Sequence, residues 1–241
     1  MCSLVDTESC NVICPSYIAM HGYNGAGGRI GATKIPEEYR NVTLKTVSPR
    51  QDQPAAYAIF DQYAKTFTRQ FEPEGERIKS LYLYSLEPGT GKTTSAITLL
   101  HEYIIVNYVG SLRRDRQPPQ TPAYFLDVNA WQELYTEFTR PNVPEDIAEP
   151  ASREYYRQMT SAKSSPFVVL DDIGVRTASE GFRGDLHSIV NYRTTNGLTT
   201  IYTSNVSIEG LSQGFDRRLA DRVRDMCAVV PFVGESKRGI R

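Results

Sequence analysis

No apolar run in this chain is long enough to cross a bilayer. The strongest, at residues 103–109 and 167–170, fall far short of the ~20 residues that a spanning helix requires. An excess of one charge is also missing: 27 Lys and Arg against 28 Asp and Glu leave a formal net charge of −1. The molecule as a whole has no basic field to draw it onto nucleic acid, so any such contact has to come from a local patch. The opening Met1-Cys2-Ser3-Leu4-Val5-Asp6 lacks a positive n-region and an apolar core, and no secretory signal is read there. A cytoplasmic location without membrane partners is expected, and disulfides are rare in that compartment. Internal repeats and the composition of a disordered chain are absent too, since 40% hydrophobic and 23% charged residues describe an ordinary globular protein. What remains is 241 residues, room for one large α/β domain with a small appendage.

Residues 1–50 differ from the rest. They hold three of the four cysteines and a glycine-rich stretch, Gly22-Tyr23-Asn24-Gly25-Ala26-Gly27-Gly28-Arg29-Ile30-Gly31. That stretch lacks the G-x-G-x-x-G spacing of a dinucleotide fingerprint, because Ile30 stands where the last glycine belongs, and it reads as a flexible loop or linker. Residues 51–241 then alternate between helical and strand patterns. Helices are expected at 54–71, 92–108, 129–139 (with Asn129 as N-cap), 152–161 and 185–195. Strands are expected at 80–84, 123–127, 167–170 and 199–203, and loops at 113–122 and 141–150. Such alternation predicts an α/β fold: a mostly parallel sheet covered by helices on both faces, a three-layer sandwich.

The segment with the most specific chemistry is Leu83-Tyr84-Ser85-Leu86-Glu87-Pro88-Gly89-Thr90-Gly91-Lys92-Thr93-Thr94. A strand enters a glycine-rich turn and Lys-Thr opens a helix, the context that makes a phosphate-binding P-loop credible. Amides around Gly89–Thr93 can converge on phosphate oxygens where glycine removes the Cβ, and the helix N-terminus adds its positive dipole. Pro88, Gly89, Thr90, Gly91, Lys92, Thr93 and Thr94 are the candidate nucleotide-binding residues. Lys92 supplies a mobile charge for the β/γ-phosphates and the Thr93 hydroxyl a ligand for Mg²⁺. The pattern G-x-x-x-x-G-K-[ST] is broken at its first position, where Leu86 replaces glycine.

Downstream, Phe167-Val168-Val169-Leu170-Asp171-Asp172 has the form of a Walker B strand. Asp171 is the candidate for orienting Mg²⁺. Asp172 stands where a residue polarising the attacking water belongs, one methylene shorter than the usual Glu. Thr199–Asn205 is a strand with a polar tip, and Arg218 and Arg222 lie four apart on one helical face. That face is either a solvated basic surface or a source of arginines for a phosphoryl site.

Taken in order, these segments resemble the DnaC/IstB group of AAA+ ATPases, which includes bacterial and phage replicative helicase loaders. The resemblance runs over residues 35–233. It rests on Ile35-Pro36-Glu37-Glu38-Tyr39-Arg40-Asn41-Val42-Thr43-Leu44, Pro88-Gly89-Thr90-Gly91-Lys92-Thr93, the acidic pair with Ile173-Gly174, Thr203-Ser204-Asn205, and Arg218-Leu219-Ala220-Asp221-Arg222. It implies an AAA+ P-loop fold without a full C-terminal lid, because the stretch after Arg222 is too short to carry one. It implies Asn205 as the sensor that meets the γ-phosphate or the water, with Arg218 also at the nucleotide. Arg222 is implied as a finger reaching into a neighbouring subunit's ATP site. The implied activity is Mg-dependent ATP hydrolysis, low without DNA or partner. The implied partners are a replicative DNA helicase hexamer docked by residues 1–50, single-stranded DNA, and further copies of the chain around shared ATP sites. An IstB-like transposition ATPase on duplex DNA and an ATP-switched interaction protein with little turnover remain as alternatives.

Two further features stay open. Cys2, Cys10, Cys14 and His21 supply enough ligands for a tetrahedral zinc site, or are three reduced cysteines and a surface histidine. Trp131, Tyr135 and Phe138, at i, i+4 and i+7, suit a core-facing stripe better than a platform for stacked bases. The basic loop at Arg113, Arg114 and Arg116 is open in the same way.

Overall fold

A computed structural model describes residues 14–72, 74–174, 178–214 and 217–237. The described residues open with two short helices, α1 (Pro15–His21) and α2 (Gly28–Ala32), followed by α3 (Pro49–Asp52) and α4 (Pro54–Lys65). Then come β1 (Ser80–Tyr84), α5 (Lys92–Leu112), β2 (Ala123–Asp127), α6 (Val128–Thr139), α7 (Glu145–Ser164) and β3 (Phe167–Asp171). The last elements are α8 (Glu180–Thr195), β4 (Thr199–Ser204), α9 (Ile208–Gly214), α10 (Arg217–Met226) and β5 (Cys227–Pro231). All neighbouring strands pair parallel, in the order β2-β3-β4-β1-β5.

Period-two alternation along the strands splits the core into two layers. Leu81, Leu83, Phe125, Phe167, Val169 and Ile201 face α4 and α5, while Tyr82, Tyr124, Leu126, Val168, Leu170 and Tyr202 face α6, α7, α8 and α10. A sheet buried on both faces is the expected outcome of near-continuous apolar strands. Among the described residues, no helix is long and apolar enough to cross a membrane.

The glycine-rich stretch is a built corner rather than a loose loop. Gly27 N–H donates to His21 O (2.8 Å), and a Cβ on Gly28, whose φ is +59°, would meet Met20 main chain at 2.6 Å. Only glycine lets two backbones approach so closely there. The corner buries Arg29, whose guanidinium donates to Ala19, Pro118 and Pro119 carbonyls, each at 2.9 Å. Met20, Ile30, Ile35, Leu44 and Val47 join the same core as α4 and α5.

Some boundaries differ from expectation for identifiable reasons. The N-cap of α6 is Asp127, not Asn129: its Oδ1 accepts the N–H groups of Asn129 (2.9 Å) and Ala130 (3.0 Å). The expected loop at 141–150 gives way to α7, which starts after Pro144 with Glu145 and Asp146 in its first turn and tolerates Pro150 inside. Acids there favour the helix N-terminus and outweigh the prolines as breakers. Helix α8 starts five residues early, because Ser179 caps it through Phe182 N–H (3.3 Å). The helix expected over 54–71 ends as α4 at Lys65 and continues as a 3₁₀ turn, Thr66–Phe71. Strand β5 was not anticipated.

Candidate functional site

A cavity of about 470 Å³ opens at the carboxyl ends of the central strands, the position where open α/β sheets bind ligands. Its wall includes Pro88, Gly89, Thr90, Gly91, Lys92, Thr93, Thr94, Asp172 and Asn205. Gly91 takes φ +94° as the N-cap of α5, where no side chain of the described residues caps the helix, and the first amides of a helix look for partners outside it. A Cβ at Gly91 would sit 2.6 Å from the Pro49 ring, so the loop turns hard against α3. Leu86, at the broken motif position, has no left-handed backbone and is 75% exposed. That position makes no demand for glycine here, which accounts for the leucine.

Beneath the loop, the strand ends form a connected polar floor. Thr93 Oγ1 donates to Asp171 Oδ2 (3.1 Å), and Thr203 Oγ1 donates to Asp171 Oδ1 (2.7 Å). Thr203 Oγ1 also accepts Asp172 N–H (2.9 Å), and Asp172 adopts φ +57°, which directs the chain out of β3 toward the cavity. Burial pushes the Asp171 carboxyl up to about 7; the Thr203 hydroxyl opposes the rise, Asp172 adds to it, Thr93 opposes it and Asp127 adds again. A carboxyl so placed is only partly ionised at neutral pH, and a cation beside it would favour the charged form. Lys92 Nζ donates to Glu87 O (3.1 Å). Two polar atoms of its wall, Thr90 Oγ1 and Asn205 Oδ1, are buried without a hydrogen-bond partner among the described residues. Such orphans in a cavity wall fit a polar ligand.

The remaining expected residues lie elsewhere. Arg218 and Arg222 project from the exposed face of α10 and line shallow surface depressions with His187 and Asp221, outside the cavity wall. Trp131 is fully buried, stacked on Tyr155 (4.5 Å) with its Nε1 donating to Tyr155 O (3.1 Å), and Tyr135 and Phe138 pack on the same ring. These aromatics are core. Arg114 lies over the Phe71 ring (4.3 Å), and Arg113 and Arg116 are exposed. Cys2 and Cys10 lie outside the described residues. Cys14 and His21 sit at opposite ends of α1, and among the described residues no three His, Cys, Asp or Glu side chains group to hold a metal.

Tyr39, Ser48, Pro49, Asp52 and Lys237 also line the cavity and were not singled out as site residues from sequence. Only Tyr39 left a trace, within the Ile35–Leu44 segment. Thr203 was visible in a motif, but its bridging role depends on β3 and β4 lying side by side.

No protein-family model matches the chain, and no curated protein matches it in sequence. Solved structures do match. The crystal structure of DnaI superposes with a TM-score of 0.57 at 21% identity, over 85% of this chain and 95% of that one. The DnaC helicase loader gives 0.56 at 21% identity, over 82% and 100%. The replication initiator DnaA bound to AMPPCP and single-stranded DNA gives 0.56 at 15% identity, over 84% of this chain and 52% of that one. The chain shares its fold with these proteins, over most of its own length.

Proposed function

We infer that the chain is an ATP-dependent loader of a replicative hexameric DNA helicase onto single-stranded DNA. The observation that carries the nucleotide half is Thr93 Oγ1 lying 3.1 Å from Asp171 Oδ2 under the P-loop. P-loop and acidic strand, 78 residues apart in sequence, meet where a nucleotide's metal belongs. The loader half is supported by a fold likeness that spans 95% of the solved DnaI chain and 100% of the solved DnaC chain.

The residues present fit Mg²⁺, since Asp171 is a buried carboxyl whose charged form a cation would favour and the Thr93 hydroxyl adjoins it. Mg²⁺, when bound, supplies charge neutralisation for the phosphates, and Thr93 and Asp171 would hold it. The amides of residues 89–93 would grip the phosphate chain, with Lys92 leaving Glu87 O for it. Asp172 would orient the attacking water from its left-handed turn, and the Asn205 amide would complete that shell. Arg222, exposed on α10, would serve the site of an adjacent copy, with Arg218 beside it. Residues 1–50 would dock the helicase, and Cys2, Cys10, Cys14 and His21 would hold zinc there if a metal assay finds one equivalent.

Co-purification with the hexameric helicase, with and without ATP, tests the loader reading. Capture by the helicase, with hydrolysis lost in Lys92→Ala and slowed in Asp172→Asn, is expected. A chain that binds nucleotide but ignores the helicase is not a loader. One that loses no function in either variant is not an ATPase.

A further inference from the structure

The cavity has a wall that neither the P-loop nor the acidic strand supplies. Beyond β5, residues 232–237 run back across the P-loop as a strap. Phe232 N–H donates to Tyr84 O (2.7 Å). Val233 is clasped by Gln53, whose Oε1 accepts its N–H (3.1 Å) and whose Nε2 donates to its carbonyl (2.6 Å). Gln53 is only 4% exposed, so solvent does not compete well for this clasp. The strap ends at the loop itself, where Lys237 N–H donates to Gly89 O (3.2 Å).

This anchoring delivers the Lys237 side chain to the rim of the cavity. Its ammonium lies 3.2 Å from Asp52 Oδ1, and both residues line the cavity beside Gly89, Thr90 and Lys92. The pair is exposed, at 58% for Lys237 and 45% for Asp52. Ion pairs of that kind hold their partners weakly, because water screens them and both side chains stay mobile. A phosphate chain arriving at Gly89 brings more negative charge than Asp52 and several acceptor oxygens, and charge-assisted bonds to phosphate are the stronger kind.

We propose that Lys237 is a nucleotide-contacting residue whose resting partner is Asp52: with a nucleoside triphosphate in the cavity, the ammonium leaves the carboxylate for phosphate oxygens. The anchored strap then carries a second cation to the nucleotide, alongside Lys92. The assignment rests on the nucleotide-binding reading above. It adds that Asp52 opposes binding twice, by holding Lys237 and by placing a negative charge near the phosphates.

Equilibrium titration of the full chain with a fluorescent methylanthraniloyl-ATP in Mg²⁺ tests it, with Lys92→Ala as the control that the signal reports the P-loop. Lys237→Met is expected to weaken binding about tenfold, and Lys237→Arg to stay within about twofold of wild type. Asp52→Asn is expected to tighten binding severalfold. A structural clasp would give the opposite sign for Asp52→Asn, with both neutralised variants weakened together, and that result overturns the proposal. Equal affinity of wild type and Lys237→Met overturns it too, while leaving the nucleotide reading intact. A wild-type chain that binds no nucleotide ends both. Melting without nucleotide, expected to shift by no more than about 2 °C in these surface variants, confirms that folding is not the cause.

Discussion

Replacing Thr203 by valine would remove a hydroxyl that joins both acids of the candidate site while keeping the side chain's volume. Thr203 is fully buried, donating to Asp171 Oδ1 at 2.7 Å and accepting Asp172 N–H at 2.9 Å. Losing a hydrogen bond to a charged group costs about 1.5–3 kcal/mol, and a stranded, poorly solvated amide about 1–3 kcal/mol more. The Asp171 carboxyl, already raised by burial, would rise further, and taking up a proton would limit the loss. A destabilisation of about 2–5 kcal/mol follows, a large share of the ~5–15 kcal/mol that holds a domain folded. Urea unfolding without nucleotide measures it. Thr203→Ser serves as reference, because it keeps the hydroxyl and gives up a methyl group worth about 1 kcal/mol. Added Mg²⁺ and ATP should raise the melting temperature of wild type and the serine variant but much less that of the valine variant. Should valine cost no more than serine, with ligand stabilisation intact, the floor of the site is not organised by this hydroxyl.

In the nucleotide-free protein, Asp171 binds a proton when folded that it has lost when unfolded, over the window from its ordinary 3.8 to about 7. Its contribution to stability therefore falls as pH rises through that window, with a slope of at most about 1.4 kcal/mol per pH unit; denaturation at several pH values should show a flatter profile for Asp171→Asn. Gly91→Ala places a Cβ 2.6 Å from Pro49 at φ +94°, so a loss of about 2 kcal/mol or more in a thermal melt is expected, together with loss of stabilisation by ATP. Arg193 is fully buried and donates to the carbonyls of Ala162, Ser165 and Thr199 and to Thr200 Oγ1. Arg193→Met should cost about 3 kcal/mol or more in urea. Because it acts at the end of the sheet away from the P-loop, ATP affinity in the cold should be unchanged.

Much of the architecture was legible because its signals are local. Four strands announce themselves as short apolar or aromatic runs at the expected places, and the alternation with helices gives a parallel sheet with few choices of topology. Strand β5 gives no such signal: Cys227-Ala228-Val229-Val230-Pro231 is an edge strand, only partly buried, directly after a highly charged helix. The corner at Gly22–Gly31 was illegible for a different reason. Glycines read as flexibility when their neighbours are unknown, whereas here Arg29 turns into carbonyls at 118 and 119, which no sequence window connects.

The site divides along the same line. That Lys92, Thr93 and Asp171 come together at the cavity was legible because each stands in a short local motif of strand, turn and helix or of strand and acid. Pro49, Asp52 and Lys237 reach the cavity from distant parts of the chain, through one buried glutamine and one close approach to a glycine. No spacing rule records that delivery, since any segment of suitable length and anchoring could make it. The walls of a P-loop site therefore carry less sequence signal than its floor. If the proposals above hold, variation at the walls would change how tightly a nucleotide is held without disturbing the motif.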